Sequence, residues 1–168
     1  RLTPLITYAQ AYNAVGNRTS LAVELGANDD FLNSYTYDNL HRLTQLTQET
    51  QSGGNTVASK RVDFAYNALG QFTDLDRYAS LDTSKFVANT SFAYDLANRL
   101  TSLQHAQDMT ALAGYDYTYD AAGRFTSIDS LLDGLTEYTH DAAGQLTDAD
   151  HASITDEAYL DSARFDRC

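Results

Sequence analysis

The sequence predicts an all-β protein, an antiparallel meander of tandem β-hairpin repeats. Three observations predict it. A ten-residue unit recurs along the chain: YNAVGNRTSL from Tyr12, YDNLHRLTQL from Tyr37, YNALGQFTDL from Tyr66, YDLANRLTSL from Tyr94, YDAAGRFTSI from Tyr119 and HDAAGQLTDA from His140. The starts lie 25, 29, 28, 25 and 21 residues apart, the period of a repeat array in which each copy is one supersecondary unit. Before most copies, large rings alternate with small or polar residues, as in Val62/Phe64/Tyr66 and Tyr115/Tyr117/Tyr119, which is the period of a half-buried strand.

The columns of the unit explain the hairpin. Position 2 is always Asn or Asp (Asn13, Asp38, Asn67, Asp95, Asp120, Asp141), a side chain that accepts from the backbone two residues on and opens a turn. Position 5 is Gly16, His41, Gly70, Asn98, Gly123 or Gly144, types that tolerate the positive φ closing a type I turn plus bulge. Position 8 is Thr in all copies and position 10 is apolar (Leu21, Leu46, Leu75, Leu103, Ile128, Ala149), so a strand resumes after the turn. The Arg or Gln column (Arg42, Gln71, Arg99, Arg124, Gln145) supports the turn or pairs with an Asp of a neighbouring strand.

Taken in order, Leu5-Ile6-Thr7-Tyr8 leads as a short strand into the first turn at Asn13–Gly16, with Arg18 standing where later copies have Leu or Phe. Gly26–Asp30 is a turn cluster, and a strand returns through Tyr35 and Tyr37. Gln51-Ser52-Gly53-Gly54-Asn55 is a hairpin loop. Leu81–Ser84 and Asp108–Leu112 read as looser connections, and Asp133-Gly134 as a tight turn. Gln104–Ala113 is the one window where a helix competes with strand, since it lacks alternation. The first residues, Arg1-Leu2-Thr3, match the second-strand half of the unit, and Tyr159-Leu160-Asp161 resembles a seventh copy. Residues 1–168 are therefore expected to be a single array of about six copies, a fragment of a longer one.

Composition excludes several function classes. The 168 residues carry a net charge of −12, a poor match for nucleic-acid phosphates. The single cysteine, Cys168, excludes an internal disulfide framework and a Cys-based zinc site. No run of 18 or more apolar residues exists, so no membrane-spanning helix is expected. The apolar content of 43% is that of a folding chain.

No catalytic, cofactor-binding or metal-ligating residue is assigned. Asp74-Leu75-Asp76 and Asp148-Ala149-Asp150 offer two carboxylates each, short of a calcium loop. His41, His105, His140 and His151 do not pair at metal-ligand spacing. His140 or His151 with Asp141 or Asp150 could form an acid–base pair, but no nucleophile elbow or phosphate-cradling Gly-rich loop accompanies them. Asn17-Arg18-Thr19 and Asn89-Thr90-Ser91 fit the glycosylation sequon, and the first, which arises from the repeat itself, is given no weight. The tyrosine stripe reads first as ring ladders packing the sheet, and second as a platform for sugars or peptides.

Phe92-Ala93-Tyr94-Asp95 with Arg99-Leu100-Thr101, and Tyr117-Thr118-Tyr119-Asp120 with Gly123-Arg124-Phe125-Thr126, resemble the tyrosine–aspartate (YD) repeats of rearrangement-hotspot (RHS) proteins. Similar repeats occur in bacterial polymorphic toxins, toxin-complex shells and teneurins. The resemblance spans roughly the whole chain. It implies a segment of a spiral β-sheet shell that encloses a C-terminal toxin or serves as an adhesion scaffold. The family's Asp-Pro-x-Gly closing segment is missing, since Pro4 is the only proline. What the resemblance implies for these residues is shell wall, without cleavage or toxic activity. The expected function is thus a structural scaffold, not an enzyme, without cofactor, in a secreted or cell-surface bacterial protein. Its expected partners are the rest of the parent chain and an enclosed toxin domain. The alternative is a module binding carbohydrate or a cell surface. Alone, with two open sheet edges, such a piece is expected to be poorly stable or oligomeric.

Overall fold

The computed structural model describes residues 5–26, 28–51, 53 and 56–152. Twelve β-strands follow one another: β1 (Ile6–Tyr12), β2 (Arg18–Leu25), β3 (Asn28–Tyr37), β4 (Leu43–Thr50), β5 (Lys60–Tyr66), β6 (Phe72–Tyr78), β7 (Phe86–Tyr94), β8 (Leu100–Gln107), β9 (Thr110–Tyr119), β10 (Phe125–Ser130), β11 (Gly134–His140) and β12 (Leu146–Ala152). Their order in the sheet is their order in the sequence, an antiparallel meander with two strands per repeat. The chain divides into two compact units, Arg1–Asn89 and Thr90–Cys168. The first three corners fall in one and the last three in the other.

In the first unit, Val23 faces Tyr8 on one side and Phe31 on the other across β1–β2–β3. It is the one fully covered apolar side chain among the described residues, at 4% exposure. Elsewhere the ring-bearing face is half-buried: Tyr35, Tyr37, Phe64 and Tyr66 are partly covered, while Thr36 and Ala65 between them are exposed. The second unit repeats this with Tyr115, Tyr117 and Tyr119 against exposed Asp116 and Thr118. Stabilisation therefore comes from cross-strand side-chain pairs within the sheet rather than from a second layer. Tyr66 stacks on Phe72 at 4.8 Å and Tyr119 on Phe125 at 4.9 Å between ring centroids, each pair directly opposite in register.

Two connections differ from expectation. The window Gln104–Ala113 is neither helix nor loose loop. β8 runs through Gln107, Asp108 turns at φ 52, and β9 begins at Thr110. Ala and Gln there favour helix weakly, and pairing of His105 with Ala113 and Gln104 with Gly114 across the hairpin overrides them. The turn near Gly26 is also shorter than the polar cluster suggested, because Asn28–Asp30 already belong to β3. The connection at Leu81–Ser84 leads into a 3-10 turn, Thr83–Lys85, whose Ser84 N–H donates to the Asp82 carboxylate at 2.8 Å. At Asp133-Gly134 the turn is as read: Gly134 has φ 91, and Ser130 Oγ accepts the Asp133 N–H at 3.1 Å. Of the loop 51–55, Gln51 and Gly53 are described; the ends at Arg1–Thr3 and Tyr159–Asp161, and Cys168, lie outside the described residues.

Candidate functional site

Six corners of near-identical chemistry recur along the meander. In each, the position-2 side chain accepts from two backbone N–H groups, at positions 4 and 6. Asp120 Oδ1, for example, takes Ala122 N at 2.9 Å and Arg124 N at 3.0 Å. Asn13, Asp38, Asn67, Asp95 and Asp141 do the same. The backbone closes the turn with the position-5 N–H on the position-2 carbonyl, at 3.0–3.1 Å in the six copies. Position 5 has positive φ in every copy, including His41 (63°) and Asn98 (64°).

Where position 2 is Asp and position 6 is Arg, a charge pair locks the corner. Arg42 Nε meets Asp38 at 2.7 Å, Arg99 meets Asp95 at 2.7 Å and Arg124 meets Asp120 at 2.6 Å. The backbone N–H of the arginine, followed by its guanidinium, holds each of these carboxyls below the usual carboxylate range, against a desolvation that acts the other way. The arginines at position 6 thus form their ion pairs within their own turn, not with a carboxylate of a neighbouring strand.

The same arginines also reach forward. Arg42 donates to the Asn67 carbonyl at 3.1 Å, Arg99 to that of Asp120 at 3.0 Å and Arg124 to that of Asp141 at 3.3 Å. The guanidinium of Arg42 lies 4.7 Å over the Tyr66 ring, and that of Arg99 lies 4.6 Å over Tyr119. Tyrosines answer in the other direction. The hydroxyls of Tyr37, Tyr66 and Tyr119 donate to the carbonyls of Arg18, Leu43 and Leu100, each at position 7 of the preceding copy. Burial pushes the Tyr66 and Tyr119 phenols up, while the nearby arginines act against it.

These forward and backward bonds were not foreseen. A signal existed in the repeat itself: Arg at position 6 occurs only with Asp at position 2 (Asp38/Arg42, Asp95/Arg99, Asp120/Arg124), and Asn67 goes with Gln71. The Asn67 amide donates to Gln71 Oε1 at 2.8 Å, a neutral version of the same lock.

The other residues singled out from sequence sit in structural settings. Asp74 and Asp76 lie two apart on strand β6, and Asp148 and Asp150 on β12, so neither pair lies in a loop that could wrap a cation. Asp76 accepts from Asn89 at 2.6 Å. His105 Nδ1 lies 2.8 Å from the buried Thr90 hydroxyl. His140 takes the ring position opposite Leu146, and His151 pairs with Thr136. Asp141 is engaged by its own turn, accepting Ala143 N and Gln145 N. Among the described residues no cluster of three His, Cys, Asp or Glu side chains could hold a metal ion. No helix among them is long and apolar enough to cross a membrane. Arg18 lies 4.6 Å over the Tyr35 ring and donates to its hydroxyl at 3.0 Å, which explains the deviant residue in the first copy.

Among solved structures, the crystal structure of TcdB2-TccC3-Cdc42 matches with a TM-score of 0.53 at 14% identity, over 82% of this chain and 9% of that chain. The crystal structure of TcdB2-TccC3 matches at 16% identity with a TM-score of 0.42, over 83% and 9%. A porin-like protein from Bacteroides uniformis matches at 14% identity with a TM-score of 0.46, over 86% and 80%. The first likeness is one of fold, and the chain spans less than a tenth of that relative's length. No curated protein matches the chain. The Teneurin YD-shell family model matches residues 3–162, across all six corners, and the chain belongs to that family.

Proposed function

We propose that residues 1–168 form one array of YD repeats that builds part of the wall of a shell, in a larger exported or surface protein, around a toxin or adhesion module encoded elsewhere in the parent chain. The observation that carries this is the two-way bonding between corners. The corners with Asp at position 2 and Arg at position 6 spend that pair on their own turn and on the next corner, as in Arg99 to Asp120, and the tyrosine of the next corner answers, as in Tyr119 to Leu100. A carboxylate or phenol so engaged serves geometry, and a shell-forming family is a structural one. The proposed partners are the flanking repeats and the enclosed module.

The test uses the parent chain. Limited proteolysis of that chain is expected to leave the segment beyond the array protected. The double variant Arg99→Ala/Arg124→Ala is expected to expose that segment to cleavage. A segment cleaved equally fast in the unaltered chain would sink the enclosure reading and leave a display scaffold.

A further inference from the structure

Position 6 is Arg in the second, fourth and fifth copies, Gln in the third and sixth, and Asn in the first, where it does different work. Arg42, Arg99 and Arg124 each lay a guanidinium against the next corner, on the carbonyl of its position-2 residue. In the first copy the residue is Asn17, which is too short to reach the Asp38 carbonyl and instead hydrogen-bonds His41 of the second corner, its Nδ2 lying 3.3 Å from His41 Nδ1. Between the first and second corners lies a hollow of about 440 Å³, lined by Asn13, Asn17, Tyr37, Asp38 and His41 among others. Tyr37 is the counterpart of Tyr66 and Tyr119, whose rings each carry a guanidinium. The Asp38 carbonyl accepts the His41 N–H at 3.0 Å, whereas its counterpart on Asn67 accepts both the Gly70 N–H and Arg42. Of the two tyrosine rings that line this hollow, Tyr35 already carries Arg18; the Tyr37 ring and one lone pair of the Asp38 carbonyl line it where the corners that follow Arg42 and Arg99 hold an arginine of their own chain.

We infer that this hollow is a binding site for a guanidinium group, the head of an arginine side chain or of a small alkylguanidinium. The Tyr37 ring would cover its face and the Asp38 carbonyl would accept from its edge. The molecule supplies the precedent twice over in the stacked pairs Arg42–Tyr66 and Arg99–Tyr119. A planar guanidinium can stack and donate at once, which an ammonium cannot. The net charge of −12 draws cations to the chain in general. His41 stands where Gly70, Gly123 and Gly144 stand, so its ring narrows the hollow without filling it. This site does not depend on the shell reading.

The test is titration of the 168-residue chain, at a dilution where sedimentation shows it folded and unassociated, followed by amide and ring NMR shifts. The probes are N-acetylarginine methylamide and agmatine, with N-acetyllysine methylamide as control. A guanidinium probe is expected to give saturating shifts at Tyr37, Asp38 and His41 with a Kd of about 1–10 mM, and the lysine derivative at least about ten-fold weaker ones. Saturation by the arginine derivative alone assigns the site to a peptide arginine; saturation by agmatine assigns it to free guanidinium compounds as well. Asn17→Arg supplies the group from within and is expected to abolish the shifts and raise the melting midpoint by about 2–4 °C. His41→Gly, with φ already at 63°, is expected to widen the hollow and tighten binding by about three-fold. No saturation in the unaltered chain, equal binding of the lysine derivative, or undiminished shifts in Asn17→Arg would overturn the site. Should Asn17→Arg not fold, unchanged or weaker binding in His41→Gly overturns it alone.

Discussion

The Tyr119 hydroxyl donates to the Leu100 carbonyl at 2.6 Å while its ring lies between Arg99 and Phe125. Ring and hydroxyl can be separated by substitution. Tyr119→Phe keeps the stack and removes one hydrogen bond, and is expected to cost about 0.5–1.5 kcal/mol in denaturant unfolding. Gly123→Ala places a Cβ at φ 83, with Arg99 Nη1 at 3.9 Å as its nearest contact. The strain is therefore in the backbone rather than in a clash, and about 1–2 kcal/mol is expected from the same measurement. The carboxyls of Asp38, Asp95 and Asp120 are held below their unfolded values by the backbone N–H and then the guanidinium of position 6. A group depressed in the folded state stabilises above its unfolded pKa of about 3.9, and that stabilisation is lost as pH falls through the folded value. The melting midpoint is thus expected to drop below about pH 4, and Asp120→Asn to flatten that drop. The phenols of Tyr66, Tyr78, Tyr117 and Tyr119 are raised, chiefly by burial. Their contribution is present below about pH 10 and is lost as pH rises through the folded values, which tyrosinate absorbance would follow.

At the scale of the strand, the hairpin corners were legible because Asx at position 2 and Gly, Asn or His at position 5 encode turn geometry locally. The bonds between corners were not, because Arg42 and Asn67 are 25 residues apart and only the fold makes them neighbours. The hairpin at Asp108-Met109 was obscured for a related reason: its residues carry no strong turn signal, and the pairing of β8 with β9 decides it. Gly114 illustrates a different kind of illegibility. It needs no positive φ, and its missing side chain leaves room for Gln104, whose amide lies across the backbone there. The polar faces also hold carboxylates directly opposite one another, Asp63 with Asp76, Asp116 with Asp129 and Glu137 with Asp150. Asp63 is compensated by Arg61 at 2.7 Å, whereas Asp116 and Asp129 are both exposed. Removing like-charge opposition at such a position should help. Asp116→Asn is expected to stabilise by about 0.2–1 kcal/mol at low salt, with the gain shrinking in high salt as screening takes over. No gain at any salt would mean that strand pairing there ignores the charge.

On the scale of the whole chain, β1 and β12 are exposed along their full length. Each is an open sheet edge among the described residues, offering unpaired backbone groups to another strand. With so little fully covered apolar surface, stability rests on neighbour-to-neighbour terms that add along the array. Sedimentation of the isolated chain is therefore expected to show concentration-dependent association, and its thermal unfolding to be broad. A monomer that melts sharply would argue that these residues already form a self-sufficient domain.

The corner bonds run in both directions between fixed columns: position 6 of one copy to position 2 of the next, and position 1 of that next copy back to position 7. Such bonding has a phase but no set length. A duplication or loss of genetic material in whole units leaves every donor beside an acceptor of the right kind, whereas a cut out of phase strands both. An array bonded in this way can therefore lengthen or shorten only in whole units, with one copy as the step. The spacings of 21 to 29 residues show that the outer connections absorb the difference while the corners stay in phase.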